Sequence, residues 1–312
     1  MPRTASPVVI GAALVAALPV GIAVADNPVR PSVHEVATAW SVDASVVLPL
    51  LAAVWLYDLG CRALWRRFGR WRVIHRQSVA AFATAIALLV LALVSPLDAL
   101  AASLFSAHMA QHMLLVLAIP PLLLISRADL AIAAALPGAW QRGVRRWFHR
   151  PAQRRCTSLL LHPATAWGFF AAIFWLWHVP MFYDAALHHD SIHAAEHVAL
   201  LIAGLLFWRV VLRAAGQRAF PYALAIGFVF TSMLQMSVLA AMLTFSSVPW
   251  YPAYGAPTAQ WGISLLTDQR TGALVMWMTS NGVFLGLIVL LFARWFAVEE
   301  RRADHPVHVT RA

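Results

Sequence analysis

The feature that most constrains this chain is a repeated apolar stretch about as long as a bilayer is thick. Seven such stretches, near residues 45–60, 79–99, 108–126, 159–179, 193–212, 222–246 and 271–293, are separated by more polar connections. A helix needs about 20 apolar residues to cross ~30 Å of hydrocarbon, and in that medium the segment has to satisfy its own backbone N–H and C=O groups. The reading that follows is an all-α polytopic membrane protein, with a bundle of seven transmembrane helices filling residues 45–295. Composition agrees, since 61% of the residues are hydrophobic and only 12% are charged.

Ahead of the bundle, Arg3 precedes the run VVIGAALVAALPVGIAVA, and Ala23-Val24-Ala25 stands just before Asp26. Residues 1–25 therefore read as a signal peptide or, because the run is about long enough to span, as an extra helix. Residues 26–44 then form an extracytoplasmic segment. The connections at 61–77 and 127–158 hold six and seven arginines. Arg209, Arg213 and Arg218 mark a third basic connection, and Arg294, Arg301, Arg302 and Arg311 mark the end of the last helix and a tail at 296–312. In all, 20 of the 23 arginines sort to one side, which the positive-inside rule makes cytoplasmic. The topology is N-outside/C-inside.

The formal charge of +10 is thus a topology signal and a contact with anionic membrane lipid, not the footprint of a nucleic-acid binder. Cys61 and Cys156 fall beside the basic, reducing-side connections, which argues against a disulfide or an outward dithiol site. No internal repeat, glycine-rich phosphate loop or Gly-x-Ser-x-Gly elbow divides or labels the chain.

With topology set, the histidines can be placed in depth. Seven of the 13, His108, His112, His178, His188, His189, His193 and His197, fall in the outer third. His108 and His112 are four apart on a helix, about 40° around and ~6 Å along, so their rings share a face; His193 and His197 repeat the spacing. These pairs open the third and fifth helices, both of which enter from outside, and His178 closes the fourth at the same level. Five imidazoles on three helices can converge on one metal or haem site. Imidazole suits copper, zinc, iron or nickel, with carboxylates or thioethers completing the shell. Asp98, Asp184, Glu196, Met109 and Met113 lie at similar depth, Glu196 as a partner that orients a ring. The bland reading is that such histidines merely sit in the interface, but polar groups at membrane depth default to functional candidates.

His188 and His189 form a weaker, loop-borne pair that solvation alone would explain. On the sixth helix Met233 and Met236 share a face, and thioethers are soft ligands, although methionine is also an ordinary gap-filling residue. Pro120 and Pro121 interrupt the third helix and predict a kink below its histidines.

The blocks SPLD at 95–98, SAHMAQHMLL at 106–115 with PPLLL at 120–124, WHVPMFYDAAL at 177–187, HAAEHVALLIAGLLFW at 193–208 and TDQRTGALVMW at 267–277 together resemble the CtaG family of polytopic cytochrome c oxidase assembly factors, associated with bacterial haem-copper oxidases. The resemblance covers roughly residues 45–295. It implies a multi-pass protein of the bacterial cytoplasmic membrane that matures the oxidase, handles copper for its metal centres and has oxidase subunits as partners. Carried over block by block, the family's histidines match His108, His112, His178, His193 and His197. One departure is Asp268-Gln269-Arg270, where Asp-Gln-Gln is expected; it puts a charge at the outer mouth of the last helix.

The expectation is a copper-binding histidine cluster on the extracytoplasmic side, in a protein that is not an enzyme, since no nucleophile with a partner base stands out. Two alternatives remain at this point: a haem-binding redox or haem-delivery protein, and a copper transporter. The second would need polar residues through the inner half, where chiefly Gln235, Ser237, Thr231 and Ser232 occur.

Overall fold

The computed structural model describes residues 35–216 and 221–303. The expected leader at 1–25, Arg218 and Arg311 lie outside the described residues. Among those described, the regular elements are helical: α1 (Ala44–Phe68), α2 (Arg76–Leu93), α3 (Pro96–Ala101), α4 (Phe105–Ile125), α5 (Ala128–Ala135), α6 (Gly138–His149), α7 (Pro151–Leu160), α8 (Pro163–His178), α9 (Pro180–His188), α10 (Asp190–Gly216), α11 (Tyr222–Phe245), α12 (Gly255–Ala259) and α13 (Leu265–Ala303). Six of them (α1, α2, α4, α10, α11, α13) are long and apolar enough to cross a membrane, and a seventh span arises if α7 and α8 count as one broken helix.

That break marks a limit of the seven-span reading. The segment expected at 159–179 is split, and α7 meets α8 at 66°. The residue before a proline is pushed out of the helical region, and His162 before Pro163 is indeed extended, with ψ 134°. The remaining 16 residues of α8 cover only about 24 Å.

Apolar character all round a helix is the mark of a span, because one face meets the core and the other meets lipid. α11 shows this directly. Val229, Ser232, Met236, Leu239, Ala240 and Leu243 are buried, while Phe230, Leu234, Val238, Met242 and Phe245 form an exposed apolar stripe at helical spacing. Most of the polar side-chain atoms at this depth are engaged inside the protein, although Gln235 Nε2 is buried without a partner. Trp175 Nε1 donates to Gln235 Oε1 at 2.7 Å, Ser237 Oγ donates to Asn281 Oδ1 at 2.9 Å, and Thr231 and Ser232 return their hydroxyl protons to carbonyls of their own helix.

α4 is not regular. Residues Leu114–Ala118 form a π turn directly ahead of Pro120 and Pro121. Neither proline has an N–H, so the α-helical donor that Val116 would receive from position 120 is missing. Trp208 Nε1, from α10, supplies a hydrogen bond to Val116 O at 3.1 Å instead. The two helices come this close because position 204 is glycine. A Cβ there would lie 2.8 Å from Pro120 Cγ and 2.9 Å from Val116 O. A second close approach, Gly60 of α1 on the Ala131 backbone of α5, closes a smaller cluster of Tyr57, Cys61, Leu64, Ile74 and Phe82.

Candidate metal centre

The start of α4 is set from the other end of the sequence. Asp268 of α13 is fully buried and its carboxylate accepts from Phe105 N at 2.6 Å, from Ser106 N at 3.2 Å and from Ser106 Oγ. It thereby satisfies backbone donors that a helix start leaves open, and negative charge is favoured there. One turn later Gly272 leaves room for the Phe105 ring, which a Cβ would approach to 2.4 Å. The first turns of α4 then carry His108 and His112 inward. α10 begins with Asp190 in its first turn and brings in His193, Glu196 and His197. α8 ends at His178, since Val179 before Pro180 is extended, and Tyr251 donates its hydroxyl to the His178 carbonyl at 2.9 Å.

The five histidines come together as the spacing predicts. Ring centroids lie 4.2 Å apart for His108 and His112, 4.2 Å for His193 and His197, 5.3 Å for His108 and His193, 5.7 Å for His112 and His197, and 6.4 Å for His112 and His178. Glu196 is not behind these rings but among them. Its Oε1 is 3.5 Å from His112 Nε2 and its Oε2 is 3.7 Å from His108 Nε2. His112 and Glu196 are 0% exposed, His108 1% and His197 9%, and His193 is half-buried.

The chemistry of the cluster lies in what these atoms lack. The Nε2 atoms of His108, His112, His178, His193 and His197 and both oxygens of Glu196 are buried without a hydrogen-bond partner. A buried carboxylate left unpaired costs several kcal/mol. Two sets of donors lie with their atoms within 4.8 Å of one another, His108, His193 and His197 in one and His108, His112 and Glu196 in the other. Such a set matches what a cation of the imidazole-and-carboxylate class requires.

The Nδ1 atoms of two rings are held. His178 Nδ1 donates to Phe174 O at 2.7 Å. His108 Nδ1 lies 2.9 Å from the Tyr254 hydroxyl and 3.0 Å from that of Tyr183, and the two hydroxyls are 3.2 Å apart. Tyr254 also donates to Ala101 O at 2.9 Å. Burial pushes the phenols of Tyr183 and Tyr254 well above their ordinary range, so both stay protonated. Together with Tyr251 and Phe105 they close the site on one side.

The remaining expected residues lie outside this knot. Asp98 accepts from Gln111 Nε2 at 2.9 Å, and Gln111 also donates to Ala92 O, so Asp98 fastens α3 to α4. Burial pushes its carboxyl up to about 6. Asp184 is half-buried with Oδ1 unpartnered, while its backbone carbonyl holds His188 Nδ1 at 2.6 Å. His188 and His189 are exposed. Met109, Met113 and Met236 are buried in the apolar core and Met233 packs against it. Arg270 is exposed and donates to Ser246 O at 3.0 Å, whereas Gln269 is buried and accepts from Trp250 N at 2.6 Å. The tyrosines were not anticipated. Tyr183 stands within the WHVPMFYDAAL block, five residues after His178, and Tyr251 and Tyr254 stand in the aromatic connection WYPAY.

Comparison with known proteins gives relatives of no established function. An uncharacterized protein of Mycobacterium bovis and one of Mycobacterium tuberculosis are each 29% identical over 282 residues, covering 89% of this chain and 42% of theirs. An uncharacterized protein of Mycobacterium leprae is 26% identical over 288 residues, covering 90% and 42%. The chain therefore spans about two fifths of the length of these curated relatives. No solved structure matches. The family model for the cytochrome c oxidase caa3 assembly factor matches residues 55–297, which includes every residue of the histidine cluster. With all three histidine-bearing blocks inside that match, the chain belongs to the Caa3_CtaG family of cytochrome c oxidase assembly factors.

Proposed function

We propose that this protein takes up a copper ion at the histidine cluster, on the outer side of the bacterial cytoplasmic membrane, and passes it to a subunit of cytochrome c oxidase during assembly. The observation that carries this reading is the convergence of five unpartnered Nε2 atoms and an unpartnered carboxylate in one buried knot. His108, His112, His193, His197 and Glu196 would hold the ion, with His178 at the edge of the group. Copper binds nitrogen and oxygen donors more tightly than other first-row divalent ions. Its role is cargo, and the protein is a carrier rather than a catalyst.

The arginines support the outward orientation. His108 and His112 lie at the start of α4 and Arg127 just beyond its end; His193 and His197 lie at the start of α10 and Arg209 and Arg213 near its end. A basic end is a cytoplasmic end, so the cluster faces out. Below the cluster the hydroxyl groups of Thr231, Ser232 and Ser237 on α11 are engaged with protein acceptors, which favours a carrier over a transporter.

The test is metal analysis with a visible spectrum on detergent-purified protein, comparing wild type with the double variant His108→Ala, His197→Ala. Copper present in wild type and lost from a variant that still inserts supports the reading. Full copper occupancy in the variant removes this site, and a Soret band lost in the variant assigns the cluster to haem.

A further inference from the structure

We propose that Tyr254 is a positioning residue that sets the tautomer of His108, so that the Nε2 lone pair faces Glu196 and the other rings. The inference deepens the metal reading and rests on it for its consequence, though its first test does not. The argument is a count of protons. Tyr254 has one hydroxyl proton, and it goes to Ala101 O at 2.9 Å. Towards His108 Nδ1, also at 2.9 Å, the Tyr254 oxygen can therefore only accept. His108 Nδ1 has to be the donor, which leaves Nε2 as the bare nitrogen of the neutral ring.

Tyr183 does not reverse this. Its hydroxyl lies 3.2 Å from the Tyr254 oxygen and 3.0 Å from His108 Nδ1. If it donated to His108 Nδ1, that nitrogen would carry a lone pair aimed at the Tyr254 oxygen, which has no proton left to offer. If it donates to Tyr254, all three contacts are satisfied, with Nδ1–H pointing between the two oxygens. His178 reaches the same state by a simpler route, because its Nδ1 faces the Phe174 carbonyl, which is an acceptor only. Metal-ligating histidines commonly give their second N–H to such an acceptor, and losing it typically weakens metal binding by 10–100-fold. Here the acceptor comes from a connection 146 residues away along the chain.

Tyr254 also ties its loop to the turn between α3 and α4, so a purely structural role has to be separated. Thr258 provides the control, since its Oγ1 donates to Ser103 O at 3.2 Å without touching His108. The experiment uses the full chain in detergent with ¹⁵N-labelled histidine, in wild type, Tyr254→Phe, Thr258→Val and, for assignment, His108→Asn. Nitrogen shifts of the metal-free protein report the tautomer, and competition for copper ions against a colorimetric chelator reports affinity. The expected result is Nδ1–H at His108 in wild type and Thr258→Val, loss of that pure tautomer in Tyr254→Phe, and copper binding weakened 10–100-fold in Tyr254→Phe alone. An unchanged tautomer in Tyr254→Phe, or equal losses in Tyr254→Phe and Thr258→Val, overturns the proposal. A tautomer change in Tyr254→Phe, found together with a wild type that binds no copper, upholds the positioning role and refutes the metal reading instead.

Discussion

Trp208 gives its indole proton to the Val116 carbonyl, the acceptor that Pro120 leaves without a helical donor. Two irregularities on one helix are thus resolved by a side chain from its neighbour. Trp208→Phe leaves a buried carbonyl unsatisfied and should cost about 1–3 kcal/mol. In a Pro120→Ala background, where position 120 regains an N–H, the cost should shrink. Unfolding in detergent of the four proteins in this cycle measures the coupling; equal costs in both backgrounds would contradict the account.

Asp268 should behave as a fold residue with a functional echo. Its carboxylate receives two backbone N–H groups and a hydroxyl at the start of α4, three residues before His108. Asp268→Ala is expected to destabilise by about 2 kcal/mol or more. Because the first turn of α4 then frays, copper retention should fall with it. An unfolding transition at the wild-type temperature would show that the cap carries no stability.

Glu196→Gln should move stability and binding in opposite directions. Removing a buried carboxyl whose oxygens have no hydrogen-bond partner should raise the unfolding temperature of the metal-free protein. Removing an anionic donor from the cluster should lower copper affinity tenfold or more. Thermal unfolding with and without added copper reads both, and a variant destabilised without metal would mean the carboxylate has a partner.

His188→Ala, His189→Ala is the complementary case. Both rings are exposed and His188 is engaged with the Asp184 carbonyl. Copper content per chain should match wild type, and loss of the ion would extend the site into the loop.

Asp98 predicts a pH dependence of stability. Its carboxyl is raised by burial from the usual 3.8 to about 6. The folded state therefore holds the proton more tightly than the unfolded one. The stability from this group is fully present below about pH 4 and is lost as pH rises through 6, an effect of at most about 3 kcal/mol. Asp98→Asn keeps an acceptor for Gln111 and cannot ionise. Its stability relative to wild type should increase between pH 4 and 6, and a constant difference across that window would refute the assignment.

Much of this arrangement is legible in the chain because it depends on local periodicity. Length and apolarity expose the spans, and a spacing of four puts His108 with His112 and His193 with His197 on common faces. What is not legible depends on contacts between distant segments. Nothing near Tyr254 says that it will meet His108, and nothing near Asp268 says that it will cap α4. Asp98 looks like a ligand by depth, yet Gln111 claims it. Glu196 looks like support from behind, but the turn of α10 places it between the rings. The break before Pro163 is visible as a proline, while its 66° angle depends on packing.

The unequal burial of the cluster gives it the character of a cul-de-sac. His193 is its most accessible ring, Glu196 is fully buried, and Tyr183, Tyr251, Tyr254 and Phe105, from the outer connections and the start of α4, wall one side. An ion approaching the cluster from outside would meet the His193 ring first. On the proposed reading release is a withdrawal, in which an acceptor comes to the His193 end and offers its own ligands one at a time.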